Sequence, residues 1–206
     1  MIRFMLLVCL SLPVLAAVPE DASATQALRV GQPVPSVTLQ DAAGESHDLS
    51  QLVQEAPSVL VFYRGSWCPF CQRHLQELAA ALPDIRQHGY QVLTISPDLP
   101  EHAASLAAEQ GLDYRLLSDA DGVAMRAFGL AFQVDAATRE RYQGSGIDLE
   151  AASGQDHHQL PVPAVFLVGS DGVIDFVHAD PDYRQRFPTA ALLAMIEAQA
   201  ESMVEK

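Results

Sequence analysis

The stretch Ser58-Val59-Leu60-Val61-Phe62-Tyr63-Arg64-Gly65-Ser66-Trp67-Cys68-Pro69-Phe70-Cys71 decides how this chain is read. Its first six residues form a continuous run of strand length, as in a central strand buried on both faces. A Cys-x-x-Cys pair follows and opens a helical run, a context in which such a pair does redox chemistry. Free N–H groups and the dipole at a helix N-terminus stabilise a thiolate, and the thiolate is the nucleophile. Cys68 is therefore the expected attacker. Cys71, Leu75, Leu78, Leu82 and Ile85 recur at helical spacing, which puts Cys71 on the apolar face as the more buried sulfur, placed to resolve what Cys68 begins. Two other readings of the pair compete. It would be half of a zinc site if His157 and His158 completed it, although their spacing matches no common finger pattern. It would be a permanent structural disulfide, although closing so short a loop constrains little of the unfolded chain.

Upstream, Met1-Ile2-Arg3 precedes the apolar run Phe4 to Leu15, and Val14-Leu15-Ala16-Ala17 offers small residues for cleavage. Residues 1–17 read as a secretory signal peptide, with a retained N-terminal anchor as the alternative. Cys9 would leave with the leader, so that the mature chain carries the Cys68/Cys71 pair alone. The formal net charge is −14, and the leader holds one basic residue, Arg3, and no acidic one. Such acidity argues against nucleic acid and anionic membrane as partners. An exported protein with one reactive pair fits the periplasm, or secretion, where thiol–disulfide traffic needs dedicated carriers.

After a polar lead-in segment, 18–33, residues 34–200 read as one domain. Val34–Leu39 and Ser46–Leu49 flank Asp41-Ala42-Ala43-Gly44, a hairpin signal. Downstream of the Cys68 helix, which Pro83 is expected to end or kink, strands at 90–96 and 114–117 alternate with helices at 101–110 and up to Phe128. That alternation implies a parallel βαβ core. Residues 130–160 carry little periodicity and read as an insertion over one end of the sheet, with a helical turn at 147–152. Ala164–Val168 and Val173–Val177 form a hairpin across Gly169-Ser170-Asp171-Gly172, and Pro188 starts a last helix.

Taken together, Phe62-Tyr63-Arg64-Gly65 with Trp67-Cys68-Pro69-Phe70-Cys71, then Leu117 to Gly122, then Leu160-Pro161-Val162-Pro163-Ala164-Val165-Phe166 with Asp171-Gly172, resemble the peroxiredoxin-like branch of the alkyl hydroperoxide reductase/thiol-specific antioxidant family. The resemblance covers roughly residues 30–200. It implies an α/β, thioredoxin-like fold: a central mixed sheet flanked by helices, here with an N-terminal β-hairpin extension. It also implies that Val162-Pro163 resembles the cis-proline position facing the active cysteines of thioredoxin-like proteins, where proline leaves the preceding backbone free to pair with an extended partner. Pro161 is the competing proline. Trp67, beside the sulfurs, is expected to shape the docking surface, and Ser66 and Pro69 complete the supporting set.

Departures from the family patterns matter as much. Typical peroxiredoxins carry Pro-x-x-x-Thr/Ser-x-x-Cys; counting back from Cys68 gives Gly65 and Val61, and from Cys71 gives Cys68 and Arg64. Pro163 stands where typical peroxiredoxins have an arginine near the peroxide, which leaves Arg64 as the candidate charge, against an ordinary surface arginine. Phe62 stands where a thioredoxin has a buried aspartate. His74, at helical spacing from Cys71, is then the candidate for proton transfer, against a solvated helix position, with Glu77 a weaker option.

The resulting expectation is a thiol-dependent oxidoreductase that reduces peroxides through an internal Cys68–Cys71 disulfide and is regenerated by an external thiol, a protein. Disulfide exchange with protein partners is the alternative, and a redox-inert binding domain on the same fold is the third reading. No cofactor motif is visible, and none is expected.

Overall fold

The computed structural model describes residues 17–204, so the expected signal peptide lies, but for Ala17, outside the described residues. At its centre is β3 (Ser58–Phe62), all five residues buried, as the unbroken apolar run requires. Because side chains alternate across a strand, Val59, Val61 and Tyr63 face one core while Leu60 and Phe62 face the other. On one side β3 pairs in parallel with β4 (Gln91–Ser96), and β4 with β5 (Arg115–Ser118). On the other side it pairs antiparallel with β8 (Ala164–Val168), which continues through the predicted hairpin into β9 (Ile174–Ala179). The N-terminal hairpin, β1 (Thr38–Asp41) and β2 (Ser46–Asp48), adds to the far edge of β5. The seven strands lie in the order β2-β1-β5-β4-β3-β8-β9, a mixed sheet as expected.

Helix α1 (Leu49–Glu55) is capped by Asp48, whose carboxylate accepts from Ser50 N and Gln51 N. Helix α2 (Pro69–Gln87) connects β3 to β4, with Cys68 at its N-cap and Pro69 as its first residue, where a proline gives up nothing. Its buried stripe, Cys71, His74, Leu75, Leu78, Ala81, Leu82 and Ile85, packs on the Val59/Val61 side of the sheet. Each fully buried leucine there contributes about 1.5–3 kcal/mol. Pro83 does not end this helix. It lies on the solvent face, where the carbonyl left without a helical partner is open to hydration.

Helices α3 (Pro100–Gln110), between β4 and β5, and α4 (Val123–Ala127) complete the βαβ run, and α7 (Thr189–Val204) buries Leu192 and Ile196 beside α2. The lead-in segment crosses the domain closely enough that Leu28 N donates to Phe128 O, and a Cβ on Gly129 would lie 2.0 Å from the carbonyl oxygen of Gln26.

Residues 130–160 hold more structure than their sequence showed: β6 (Ala131–Gln133), α5 (Ala136–Gly144), α6 (Leu149–Ser153) and β7 (Gln159–Pro161), with β6 and β7 paired antiparallel. Asp135 and Asp148 start the two helices by accepting from backbone N–H groups. No residue of α5 is buried, so no apolar period marked it in the sequence.

Candidate active site

The turn from β3 to α2 presents both sulfurs. At the N-cap, the Cys68 N–H donates to Gly65 O at 3.1 Å and its carbonyl accepts from Gln72 N at 3.0 Å. Gly65 has φ +153°, and a Cβ there would stand 2.3 Å from Trp67 Nε1 and 2.9 Å from Asp98 Oδ1, so the turn requires glycine. Below the turn, Ser66 N donates to Asp98 Oδ2 at 2.6 Å, and Ser96 Oγ donates to the same oxygen at 3.0 Å. Asp98 is fully buried and its Oδ1 has no hydrogen-bond partner; burial pushes its carboxyl up to about 6.

Both cysteines are free thiols and each is 1% exposed, but Cys71 lies deeper among its neighbours, as the helix periodicity had suggested. Electrostatics ranks them further. The Cys68 thiol is pulled down to about 6, first by a hydrogen bond from the Cys71 side chain, then, against the cost of burial, by the Cys71 backbone N–H and the charges of Arg64 and Arg186. The Cys71 thiol is pushed well above its ordinary value, first by burial and then by Cys68 beside it. At neutral pH, Cys68 is the thiolate and Cys71 the thiol that supports it.

Arg64 is not a surface arginine. It is 4% exposed, and its Nη1 lies 3.9 Å from Cys68 Sγ. Three rings surround its guanidinium carbon, Tyr183 at 4.1 Å, Trp67 at 5.0 Å and Tyr142 at 5.5 Å, and its Nη2 donates to the Tyr142 hydroxyl. Trp67 and Tyr142 also touch each other, as do Phe70 and Tyr183. The cage holds the guanidinium beside Cys68, and Trp67 and Phe70 pack against the cluster that buries both sulfurs. Pro69 is exposed, and Ser66 contributes its backbone N–H to Asp98.

The Val162-Pro163 position differs from expectation. The described residues contain no cis peptide bond, so this peptide is trans, the lower-energy form of an X-Pro bond. Nor is the backbone before it free, because Val162 N donates to Leu130 O at 2.9 Å. Strand β6 and the residue preceding it occupy the edge that an extended partner would have used.

His74 is likewise no solvated residue. It is 3% exposed, and burial first, then Arg186, brings its imidazole down to about 4. Its Nε2 has no partner, and the ring lines a cavity of about 10 Å³ with Phe62, Pro163 and Arg186. A ring held neutral so far below pH 7 is a weak proton acceptor. Glu77 is exposed. His157 and His158 are engaged elsewhere, His157 Nε2 with the Ala120 carbonyl at 2.9 Å and His158 Nε2 with Glu150 Oε1 at 2.7 Å.

Four residues of the site went unnoticed in the sequence: Asp98, Tyr142, Tyr183 and Arg186. Asp98 alone carried a signal, a carboxylate directly after a buried strand, in Ser96-Pro97-Asp98.

Fold and site together define a thioredoxin-fold thiol oxidoreductase. The chain belongs to the AhpC/TSA family, which it matches over residues 30–177. It is similar to peroxiredoxin Bcp of Escherichia coli K12, 32% identical over 154 residues, 74% of this chain and 86% of that protein. A relative in Mycobacterium tuberculosis is 33% identical over 105 residues, which cover 51% of this chain and 66% of its own length. Among solved structures, peroxidoxin BcpB of M. tuberculosis superposes with a TM-score of 0.64 at 22% identity, over 83% of this chain and 97% of that one. Peroxiredoxin Q of Xanthomonas campestris does so with a TM-score of 0.64 at 20% identity, over 84% and 97%.

Proposed function

We propose that this protein reduces peroxides in the periplasm with Cys68 as the attacking thiolate and Cys71 as the resolving thiol. The observation that carries the reading is the caged Arg64 guanidinium against a cysteine drawn down to about 6. Cys68 Sγ attacks the terminal peroxide oxygen; the O–O bond breaks, that oxygen stays on sulfur with its hydrogen as a sulfenic acid, and the released oxyanion takes a proton from the medium and leaves as an alcohol or water. The positive charge of Arg64 stabilises the negative charge developing on the departing oxygen, in the role that the missing Thr/Ser motif leaves open. Cys71 then attacks Cys68 Sγ, the S–O bond breaks, and water leaves as the internal disulfide closes. An external protein thiol supplies the two electrons that reopen it. Kinship with E. coli peroxiredoxin Bcp supports peroxide as the oxidant, and the leader sequence supports export. The occupied backbone at Val162 weakens the case for a protein disulfide as the substrate.

The test uses Trp67, the one tryptophan of the chain, as a fluorescence reporter of the neighbouring sulfurs. Reduced protein is mixed with hydrogen peroxide, an alkyl hydroperoxide or a small-molecule disulfide, beside an unstructured thiol of similar pKa. Peroxide oxidation far faster than that control is expected. It should be abolished in Cys68→Ser and limited to a single turnover in Cys71→Ser. A control-like peroxide rate with rapid disulfide exchange would transfer the protein to the exchange class. The mass of the mature N-terminus in a periplasmic fraction checks the address.

A further inference from the structure

The two sulfurs, three residues apart, each have a different guanidinium in contact, and the two arginines come from different parts of the chain. Arg64 serves Cys68. Arg186 lies in the segment between β9 and α7, and its Nη2 stands 3.3 Å from Cys71 Sγ. Its Nη1 donates to the carbonyl of Gln185 at 2.8 Å and to that of Tyr183. With one arm of a planar guanidinium held by backbone carbonyls, the direction of the other is fixed, and it is fixed on sulfur. Tyr183, whose carbonyl holds Arg186, lays its ring over Arg64. One short segment thus sets the charge at both cysteines.

Cys71 needs such a partner. A thiol buried in apolar surroundings ionises with difficulty and is inert, yet closing the disulfide requires its thiolate. Cys68, Arg64 and Tyr63 also bear on Cys71, and His74 follows one helical turn on. Once Cys68 has become a sulfenic acid its negative charge is gone, and the guanidinium of Arg186 acts on Cys71 unopposed by it.

We propose that Arg186 is a further catalytic residue, whose guanidinium holds Cys71 as the thiolate that attacks oxidised Cys68. The proposal rests on the resolving role given to Cys71 above. In the step, Cys71 gives up its proton, its sulfur electron pair forms the S–S bond, and the Cys68 S–O bond breaks. The departing hydroxide takes up a proton in place of the one Cys71 gave up and leaves as water.

The experiment compares wild type, Arg186→Gln and Arg186→Lys in the full chain by rapid mixing with hydrogen peroxide, following Trp67 fluorescence. A phase whose rate rises with peroxide reports oxidation of Cys68; a peroxide-independent phase reports ring closure. Arg186→Gln is expected to slow closure about tenfold, equivalent to about one pKa unit at Cys71, and to slow the first phase by less than about threefold. Arg186→Lys should recover most of the closure rate. Unchanged closure in Arg186→Gln, or an equal slowing of both phases, overturns the proposal. A second measurement needs no peroxide: the thiolate absorbance of Cys71 is titrated in a Cys68→Ser background with and without Arg186→Gln. A rise in the apparent pKa on losing the arginine supports Arg186 even if the peroxide phase is absent, in which case only the peroxide reading falls. An unmoved titration overturns Arg186 whatever the oxidant.

Discussion

The strand, turn and helix of residues 58–87 and the segments that cover them, α5 and residues 180–188, act on the same two sulfurs by different means. The first region works through the backbone. It places Cys68 at a helix N-cap, presents the Cys71 N–H and S–H to it, and supports the turn on Asp98. The second works through side chains that arrive from far away in sequence: Tyr142, Tyr183 and Arg186. The difference between them is one of labour. Local geometry decides which thiol is drawn down, whereas the cover adds charge and enclosure to it. A substitution in one region should therefore leave the contribution of the other measurable.

Arg64 is where the regions meet, and breaking it should have the largest effect. Arg64→Ala is expected to lower the second-order rate with peroxide about a hundredfold, the order of loss when one donor to a developing negative charge is removed. Arg64→Lys should recover little of it, since an ammonium cannot lie flat among three rings as a guanidinium does. With the helix N-cap intact, Cys68 should still titrate well below an ordinary thiol in both variants, by thiolate absorbance against pH. If Cys68 returned to the range of a free cysteine, the division between backbone and cover would be wrong.

A smaller loss should follow from opening the cage while leaving the arginine. Tyr183→Ala removes the nearest ring, and a cation–ring contact of about 0.5–2 kcal/mol corresponds to a loss of about two- to thirtyfold in the peroxide rate. Tyr142→Phe removes only the hydroxyl that accepts from Arg64 Nη2 and should cost less than Arg64→Ala. Tyr183→Ala, which removes a whole ring beside Arg64 and Phe70, should also make Cys68 easier to alkylate with a bulky reagent, whereas Tyr142→Phe, which keeps its ring, should not. Slower peroxide reduction with unchanged alkylation would separate charge placement from cover.

The same division explains what the sequence conveyed. The buried strand, the Cys-x-x-Cys helix and the alternation through Ser118 were legible because each writes an apolar period or a turn signal into consecutive residues. Helix α5 buries none of its residues, so it had no period, and Tyr142 looked like any tyrosine on a polar segment. Arg186 lies 115 residues from Cys71, a contact that only the folded chain creates. Pro163 misled for the opposite reason. A short motif suggested an open backbone, but β7 is already paired with β6, and the N–H of Val162 is taken by Leu130.

The smallest effect sharpens the comparison from beneath the turn. Asp98 lies outside residues 58–87 but supports their turn from below: it is buried, holds Ser66 N, and has one carboxylate oxygen unpaired. Its folded-state pKa is raised from 3.8 to about 6, chiefly by burial. A group raised in this way contributes stability that is fully present below its unfolded pKa and is lost as pH rises through the folded one. Between about pH 4 and pH 6 the protein should therefore lose on the order of 2–3 kcal/mol from this carboxyl. Asp98→Asn keeps an acceptor for Ser66 N but cannot ionise, so urea unfolding of the reduced protein should show a shallower fall in the variant across that window. The slope cannot vanish, since Asp119, also buried, is raised to about 7 and keeps titrating in both proteins. Equal slopes would mean that water reaches Asp98. At neutral pH the variant should keep its peroxide rate within about threefold, because neither Arg64 nor Arg186 depends on this carboxyl for its place over the sulfurs.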